Sequence, residues 1–423
     1  MMEFGLIGEK LGHSFSPQIH RCFGDYDYRL CPLSRQDMEA LVRSRQFRGL
    51  NVTIPYKQAV LPLCDEISDT ARAVGSANTL VMRDGKLTAY NTDLSGFLLM
   101  LDRAGIALAG KKAIILGSGG TSLTAQAACR ARQAREAVVV SRHGQVTYDD
   151  LYARHTDADV LINATPVGMY PNNLASPVDL GRFSRLSGVA DVIYNPARTA
   201  LLMDAEERGI LCAGGLWMLA AQGWYAARLF LGRDIPEDRL ALAYRAVRRQ
   251  TLNLVLVGMP GSGKSTLGRL AAERLGRQFV DLDAEIEKTQ GPIPAIFARQ
   301  GEAAFRDMES QTVRRFGRES ALVIATGGGA VLRKENVRAL RQNAVVAWIR
   351  RPAEQLNMEG RPLSADREAL LRMEQQRTPL YRAAADFDVQ NDAAPQQALE
   401  RILEGFDACA CDERAQSEHA GHS

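Results

Sequence analysis

Residues 252–267 read LNLVLVGMPGSGKSTL. An apolar run leads into a glycine-rich turn, and the turn leads into Lys-Ser-Thr. The pattern G-x-x-x-x-G-K-[ST] is met in full by Gly258, Gly263, Lys264 and Ser265. A buried strand here delivers the chain to a turn almost without side chains. Backbone N–H groups can then wrap phosphate oxygens at the start of a helix. Gly261, Ser262, Gly263, Lys264, Ser265 and Thr266 form the cradle. Lys264 reaches the β- and γ-phosphates and Ser265 ligates Mg²⁺. The stretch predicts an α/β domain that holds a nucleoside triphosphate with magnesium.

An earlier stretch, KKAIILGSGGTS at 111–122, has the same outline without the lysine. Gly117-x-Gly119 lets backbone approach a pyrophosphate, and the small Ser122 stands where the dinucleotide fingerprint has its third glycine or alanine. The next apolar run, AVVVSRHG, ends in Ser141 and Arg142, where an NAD-binding chain carries an acid for the ribose hydroxyl. A hydroxyl and a guanidinium suit a 2′-phosphate instead, with charge-assisted bonds worth roughly 1.5–3 kcal/mol. The first loop thus points to NADP and the second to a triphosphate. Arg142 as a plain solvated residue is the competing reading.

At 423 residues the chain exceeds what one core usually supports, so two or three domains are expected. A net charge of +3 is too small to argue for nucleic acid or a membrane surface as partner. No apolar run approaches the roughly 20 residues of a membrane span. The opening MMEFGLIGEK, with an acid at position 3 and glycines in its apolar run, does not read as a signal peptide. Seven scattered cysteines favour reduced thiols in a cytoplasm over a disulfide framework.

Strand-like runs alternate with helical patterns, which argues for α/β domains with largely parallel sheets. The runs include NVTI, AIILG, AVVVS, VLINAT and VADVIY, then FVDLD, LVIATG and AVVAWI. EDRLALAYRAVRRQT at 237–251 reads as an amphipathic helix that ends one domain, placing the boundary near 249–252. The tail DACACDERAQSEHAGHS, 407–423, reads as disordered. Its Cys409, Cys411, His419 and His422 do not have finger spacing for zinc.

Polar residues in the first half cluster in short motifs. GHSFSP places Ser14 and Ser16 on one side of an extended segment, able to bond one carboxylate. NVTIPYK sets Thr53 and Lys57 just beyond a strand, SANT supplies Asn78, and YNTD ends in Asp93. A Lys and an Asp converging on a carbonyl would form an acid/base pair, although spacing alone does not select these two. HSFSP, NVTIPYK, SANTL, NTD, LGSGGTS, NATPVGMYPN, DVIYNP and GGLWMLAAQG come in the order seen in shikimate dehydrogenases, and residues 1–248 resemble that family. The resemblance implies NADP-linked reduction of 3-dehydroshikimate, with Lys57 and Asp93 as the catalytic pair. It implies substrate contacts from Ser14, Ser16, Thr53, Lys57, Asn78, Asp93, Tyr194 and Gln222. Gly117, Ser118, Gly119, Gly120, Thr121, Ser141, Arg142, Thr165 and Gly215 would meet the cofactor. It further implies a substrate-binding α/β lobe, 1–92 completed by about 216–248, around a Rossmann NADP domain, 93–215. A homodimer is compatible with it. The segment between Pro17 and Asn51 is shorter than in many relatives, which bears on such a dimer surface.

In the second half, FVDLD puts Asp281 and Asp283 on alternating strand positions facing one side. AFRDME sets Arg306 and Glu309 three apart on a helix, and ATGGGA brings bare backbone close to a ligand. Several arginines suggest an anionic acceptor. The P-loop with DLD, FRDME, GGG, GRPL and PLYR resembles shikimate kinases over 252–406, a P-loop domain with a parallel sheet. This implies ATP-dependent phosphorylation of shikimate at its 3-hydroxyl. Lys264, Asp283 and Arg361 would be catalytic, with Arg361 on a lid. Asp283, Arg306, Gly328 and Arg382 would bind shikimate, the two arginines taking its carboxylate and Glu309 bracing Arg306. The lid stretch EQLNMEG lacks basic residues. Alternatives are a first half that also accepts quinate, another small P-loop kinase, and a sensor without turnover. The last would be expected to lack Lys57, Asp93, Lys264 or Asp283, and all are present.

Overall fold

A computed structural model of the protein describes residues 2–12, 14–352, 356 and 367–411. The first sheet has six strands: β1 (Met2–Gly8), β2 (Tyr28–Pro32), β3 (Phe47–Val52), β4 (Glu66–Ile67), β5 (Thr79–Arg83) and β6 (Lys86–Tyr90), in the order β2-β1-β3-β5-β6-β4. It is mixed. β1 runs parallel to β2 and β3, whereas β5 is antiparallel to both β3 and β6. The hairpin has a local cause: Asp84 and Gly85 both take positive φ, the two-residue turn whose twist matches a hairpin.

The second sheet is wholly parallel: β7 (Lys112–Leu116), β8 (Glu136–Val140), β9 (Val160–Asn163), β10 (Gly188–Asp191) and β11 (Leu211–Gly214), in the order β11-β10-β9-β7-β8. β7, which leads into the first glycine loop, is buried along its length, as a strand covered on both faces should be. Helix Thr92–Arg103 packs closely on helix Leu216–Leu231. A Cβ on Gly96 would lie 2.7 Å from the Met218 carbonyl oxygen and 3.0 Å from the Gln222 nitrogen, so glycine permits this approach.

The third sheet, also parallel, has β12 (Asn253–Val257), β13 (Phe279–Asp281), β14 (Val323–Ala325), β15 (Ala344–Arg350) and β16 (Phe387–Gln390), in the order β13-β14-β12-β15-β16. The described chain forms two compact units, the first holding residues up to Tyr194 and Thr199–Val247 and the second Asn195–Arg198 and the residues from Arg248 on, so the main division falls between Val247 and Arg248. That point lies inside helix Glu237–Thr251, close to the boundary expected at 249–252.

The first five residues of the expected disordered tail, 407–411, are helical instead, and 412–423 lie outside the described residues. Helix Pro395–Cys411 continues through 407–411 because Ile402, Phe406 and Ala410, spaced four apart, are all buried. Asp407 also pairs with Arg249 at 2.7 Å. His419 and His422 lie outside the described residues. Among the described residues no helix is long and apolar enough to cross a membrane.

Candidate active sites

In the first unit a cavity of about 490 Å³ gathers all eight expected substrate residues: Ser14, Ser16, Thr53, Lys57, Asn78, Asp93, Tyr194 and Gln222. Their positions have local causes. Lys57 follows β3, and its carbonyl accepts from the Ala77 nitrogen at 2.8 Å. Asp93 lies in the first turn of helix Thr92–Arg103, capped by the Asn91 side chain, where the helix dipole favours an anion. Lys57 Nζ donates to Asp93 Oδ2 at 2.6 Å. Asn78 Nδ2 donates to Asp93 Oδ1 and to Thr92 Oγ1, both at 3.0 Å, and its Oδ1 accepts from the Thr92 nitrogen. Both carboxylate oxygens are therefore engaged, which fixes the carboxylate and holds a cation beside it. The Lys57 side chain keeps 28% exposure, so the ammonium can still reach a ligand.

The expected extended run at Ser14 and Ser16 is instead a helix start. Helix Ser16–Arg21 begins after Phe15, whose φ is −82° and ψ −1°, and Pro17 suits its first turn. The Ser16 nitrogen donates to Ser14 Oγ at 3.2 Å, so both serines still face one cavity.

The dinucleotide loop follows β7. Gly117 has φ +101°, and a Cβ there would meet Ala164 O and Thr165 Cγ2 at 3.0 Å. Gly119 caps helix Gly120–Ala131, and nothing lies within 4 Å of a Cβ on Gly119 or Gly120. That open backbone at a helix start fits a pyrophosphate. Ser118 is exposed on the same turn. Thr121 and Gly215 reach the substrate cavity, which joins the cofactor loop to it. Ser141 and exposed Arg142 follow β8 as expected.

One group was not singled out from sequence. Asp191, at the end of β10, is fully buried, and its Oδ1 accepts from Asn163 Nδ2 (3.1 Å) and the Ile193 nitrogen (3.0 Å). Its Oδ2 accepts from Thr199 Oγ1 at 2.7 Å. Asn163 Oδ1 in turn accepts from the Thr165 nitrogen and hydroxyl. The network ties the loop carrying Thr165 to the one carrying Tyr194. Burial pushes the Asp191 carboxyl up to about 6 against these bonds.

A second cavity, about 480 Å³, lies over the P-loop in the second unit. Gly258, Gly261 and Gly263 all have positive φ, and helix Lys264–Leu275 starts from Gly263. Lys264 Nζ donates to the carbonyls of Gly258 and Met259 at 2.9 Å each. Ser265 Oγ donates to Asp281 Oδ2 at 2.5 Å. A hydroxyl beside a carboxylate at the foot of a phosphate loop fits Mg²⁺ and its water shell.

The cavity's other end is built on the glycine turn after β14. Arg306, buried, donates through Nη1 to Glu309 Oε2 at 2.9 Å and through Nη2 to Glu302 Oε1 at 3.1 Å. Its guanidinium lies where a Cβ on Gly329 would be, so only glycine admits it. A Cβ on Gly327 would fall 2.6 Å from Asp283 Oδ1 and 2.7 Å from Glu309 Oε1. Neither oxygen has a hydrogen-bond partner among the described residues. Burial, then the nearby Glu309 and Asp281 charges, push the Asp283 carboxyl up to about 6. Burial also raises Glu309, against the pull of Arg306.

Two expectations change here. Asp283 does not share a strand with Asp281. β13 ends at Asp281, which caps helix Leu282–Gln290, and Asp283 stands in its first turn. Arg382 is exposed and does not line the cavity, whereas Arg377 is buried, lines it, and donates to the Gly328 carbonyl at 3.0 Å. Helix geometry explains the exchange. Tyr381, whose hydroxyl donates to the same Gly328 oxygen, is four positions from Arg377 and so shares its face. Arg382 is turned away by one more residue. Arg361 lies outside the described residues.

Comparison with known proteins separates the same two halves. Residues 6–80 match the shikimate dehydrogenase substrate binding domain, and residues 260–406 match shikimate kinase. A shikimate dehydrogenase (NADP(+)) from Clostridium perfringens is 37% identical over 259 residues, covering 56% of this chain and 95% of that protein. Shikimate 5-dehydrogenase from Thermus thermophilus, solved with NADP(H) and shikimate, superposes with a TM-score of 0.52 and 30% identity, covering 58% of this chain and 99% of its own. A quinate dehydrogenase from Corynebacterium glutamicum, solved with NAD, has a TM-score of 0.53 and 29% identity, covering 57% and 98%.

Proposed function

The chain belongs to the shikimate dehydrogenase family and carries a shikimate kinase domain behind it, and from this premise we propose that it performs two consecutive reactions. The first half reduces 3-dehydroshikimate reversibly to shikimate with NADPH. The second phosphorylates shikimate to shikimate 3-phosphate with ATP and Mg²⁺. The observation that carries the reading is that the first cavity gathers the Lys57–Asp93 pair and the second gathers the P-loop with Asp283 and Arg306, the proposed product of the one being the acceptor of the other.

In the first cavity NADPH, when bound, supplies the hydride. Lys57 lies where it can donate a proton to the substrate oxygen as charge develops on it, and Asp93 keeps the ammonium aimed. Ser14 and Ser16 offer hydroxyls to the substrate carboxylate, while Asn78 and Gln222 orient the ring hydroxyls. Ser141 and Arg142 take the 2′-phosphate.

In the second cavity ATP supplies the phosphoryl group and Mg²⁺ offsets its charge. Arg306 and Arg377 grip the acceptor's carboxylate beside Gly328. Asp283 accepts the proton of the acceptor hydroxyl, and Lys264 turns from the P-loop carbonyls to the phosphates. Glu309 holds Arg306 in place. The resemblance to shikimate kinases implies that Arg361 would sit on a lid.

The likeness to a quinate dehydrogenase favours a second reading, in which the first cavity also admits quinate. Turnover of shikimate and quinate with NADP⁺, measured side by side, decides between the two. Formation of ADP on adding shikimate tests the kinase half. The same reading places the enzyme in the cytoplasm and allows a homodimer, which light scattering would detect.

A further inference from the structure

We propose that Arg351 binds the γ-phosphoryl group of ATP in the kinase cavity, from the position just after the core strand β15. The proposal rests on the kinase reading above.

β15 accompanies β12 up to the P-loop. Val257 pairs with Trp348, and the Ile349 carbonyl oxygen lies where a Cβ on Gly258 would be. The strand thus ends against the first glycine of the phosphate loop. Two neighbouring arginines, the last residue of β15 and the one after it, then part company. Arg350 is exposed, stacks on Trp348 and pairs with Asp388 at 3.0 Å. Arg351 lines the cavity together with Gly261, Lys264 and Ser265.

The cavity's cations differ in what already satisfies them. Arg306 is matched by Glu309 and Glu302. Arg377 is tied to the Gly328 carbonyl, at the acceptor end. Lys264 rests on two P-loop carbonyls. Arg351 Nε is shut off from the surroundings and has no acceptor among the described residues. A donor left this way costs stability until an acceptor arrives. A phosphate suits it well, because the guanidinium fork meets two phosphate oxygens at once. Residues 352–360, PAEQLNMEG, contain no Lys or Arg, so the chain approaching Arg361 adds no other cation. Arg351 supplies that charge from the position just after β15.

The test uses the full chain with Arg351→Ala and Arg351→Lys. Initial rates of the kinase are measured with ATP and with shikimate varied in turn, and the reductase serves as an internal control of folding. The expected result is a loss of about 10–100-fold in kcat/KM for ATP in R351A, with KM for shikimate and the reductase rate within about twofold of wild type. R351K should recover part of the loss, keeping the charge but not the fork. A second measurement needs no acceptor: titration with a non-hydrolysable ATP analogue and Mg²⁺, and separately with ADP. R351A should lose about tenfold in affinity for the analogue and little for ADP. Wild-type kinetics with ATP, a change confined to the KM of shikimate, or equal losses for analogue and ADP would overturn the proposal. If the wild-type chain did not phosphorylate shikimate, the functional reading would fall, and the analogue titration would still decide the role of Arg351.

Discussion

Lys57 Nζ and Asp93 Oδ2 lie 2.6 Å apart although 36 positions separate them in the chain. Two elements create this pair: the turn after β3 and the first turn of helix Thr92–Arg103. Asn78, from a third, locks the carboxylate's other oxygen.

Lys57→Ala should therefore lower the reductase rate by about 10²–10⁴-fold while leaving the kinase unchanged. Rates of NADPH oxidation and ADP formation on the same preparation check this. Near-wild-type reduction would remove Lys57 from the chemistry.

NADPH should be preferred to NADH, because exposed Arg142 follows β8 where no acid stands. Arg142→Asp should shift the ratio of kcat/KM values toward NADH. One bond to a charged group is worth roughly 1.5–3 kcal/mol, so a shift of about 10–100-fold is expected. Equal kcat/KM for the two cofactors in the wild type would count against the assignment.

The two arginines of QQRTPLYR should separate in the kinase assay. Arg377→Ala should raise the KM for shikimate about 10–100-fold, losing a charge-assisted contact. Arg382→Ala should leave it unchanged, because that side chain is exposed. The opposite pattern would return the role to Arg382.

This pair also marks where sequence reading stops. The motif announced an arginine, but two flank TPLY, and only the face shared with buried Tyr381 selects Arg377. The P-loop and the dinucleotide turn were legible from fixed spacing, whereas the eight cavity residues, Lys57 among them, came from the family resemblance, since spacing alone did not select them. Strand runs such as AIILG and AVVAWI were legible because fully buried strands are continuously apolar. The β5–β6 hairpin was missed, although Asp84-Gly85 between alternating residues signals it. Asp283 was placed on a strand because alternation over DLD fits either a strand or a cap followed by a first turn. The Asp191 network carried no sequence signal, since its partners, Asn163 and Thr199, come from other elements.

Asp283 sets a pH dependence of definite sign. Its carboxyl, raised to about 6, must be ionised to accept a proton. Kinase kcat/KM should thus fall as pH drops through about 6. Stability runs the other way. A carboxyl whose pKa is higher folded than unfolded contributes stability at low pH that is lost as pH rises through the folded value. Asp283→Asn should abolish most kinase activity yet melt at a higher temperature than wild type at about pH 8, with the difference shrinking toward about pH 4. Thermal melts across that range check the sign, and an advantage that grew on acidification would contradict it.

On the proposed function, one chain makes shikimate and then phosphorylates it. Purified full-length protein given 3-dehydroshikimate, NADPH, ATP and Mg²⁺, with products followed by mass spectrometry, tests it most directly. The expected product is shikimate 3-phosphate, formed with one NADPH oxidised and one ATP consumed per molecule, with shikimate accumulating alone when ATP is omitted. NADPH oxidation without any phosphorylated product in the presence of ATP, or no oxidation at all, would contradict it.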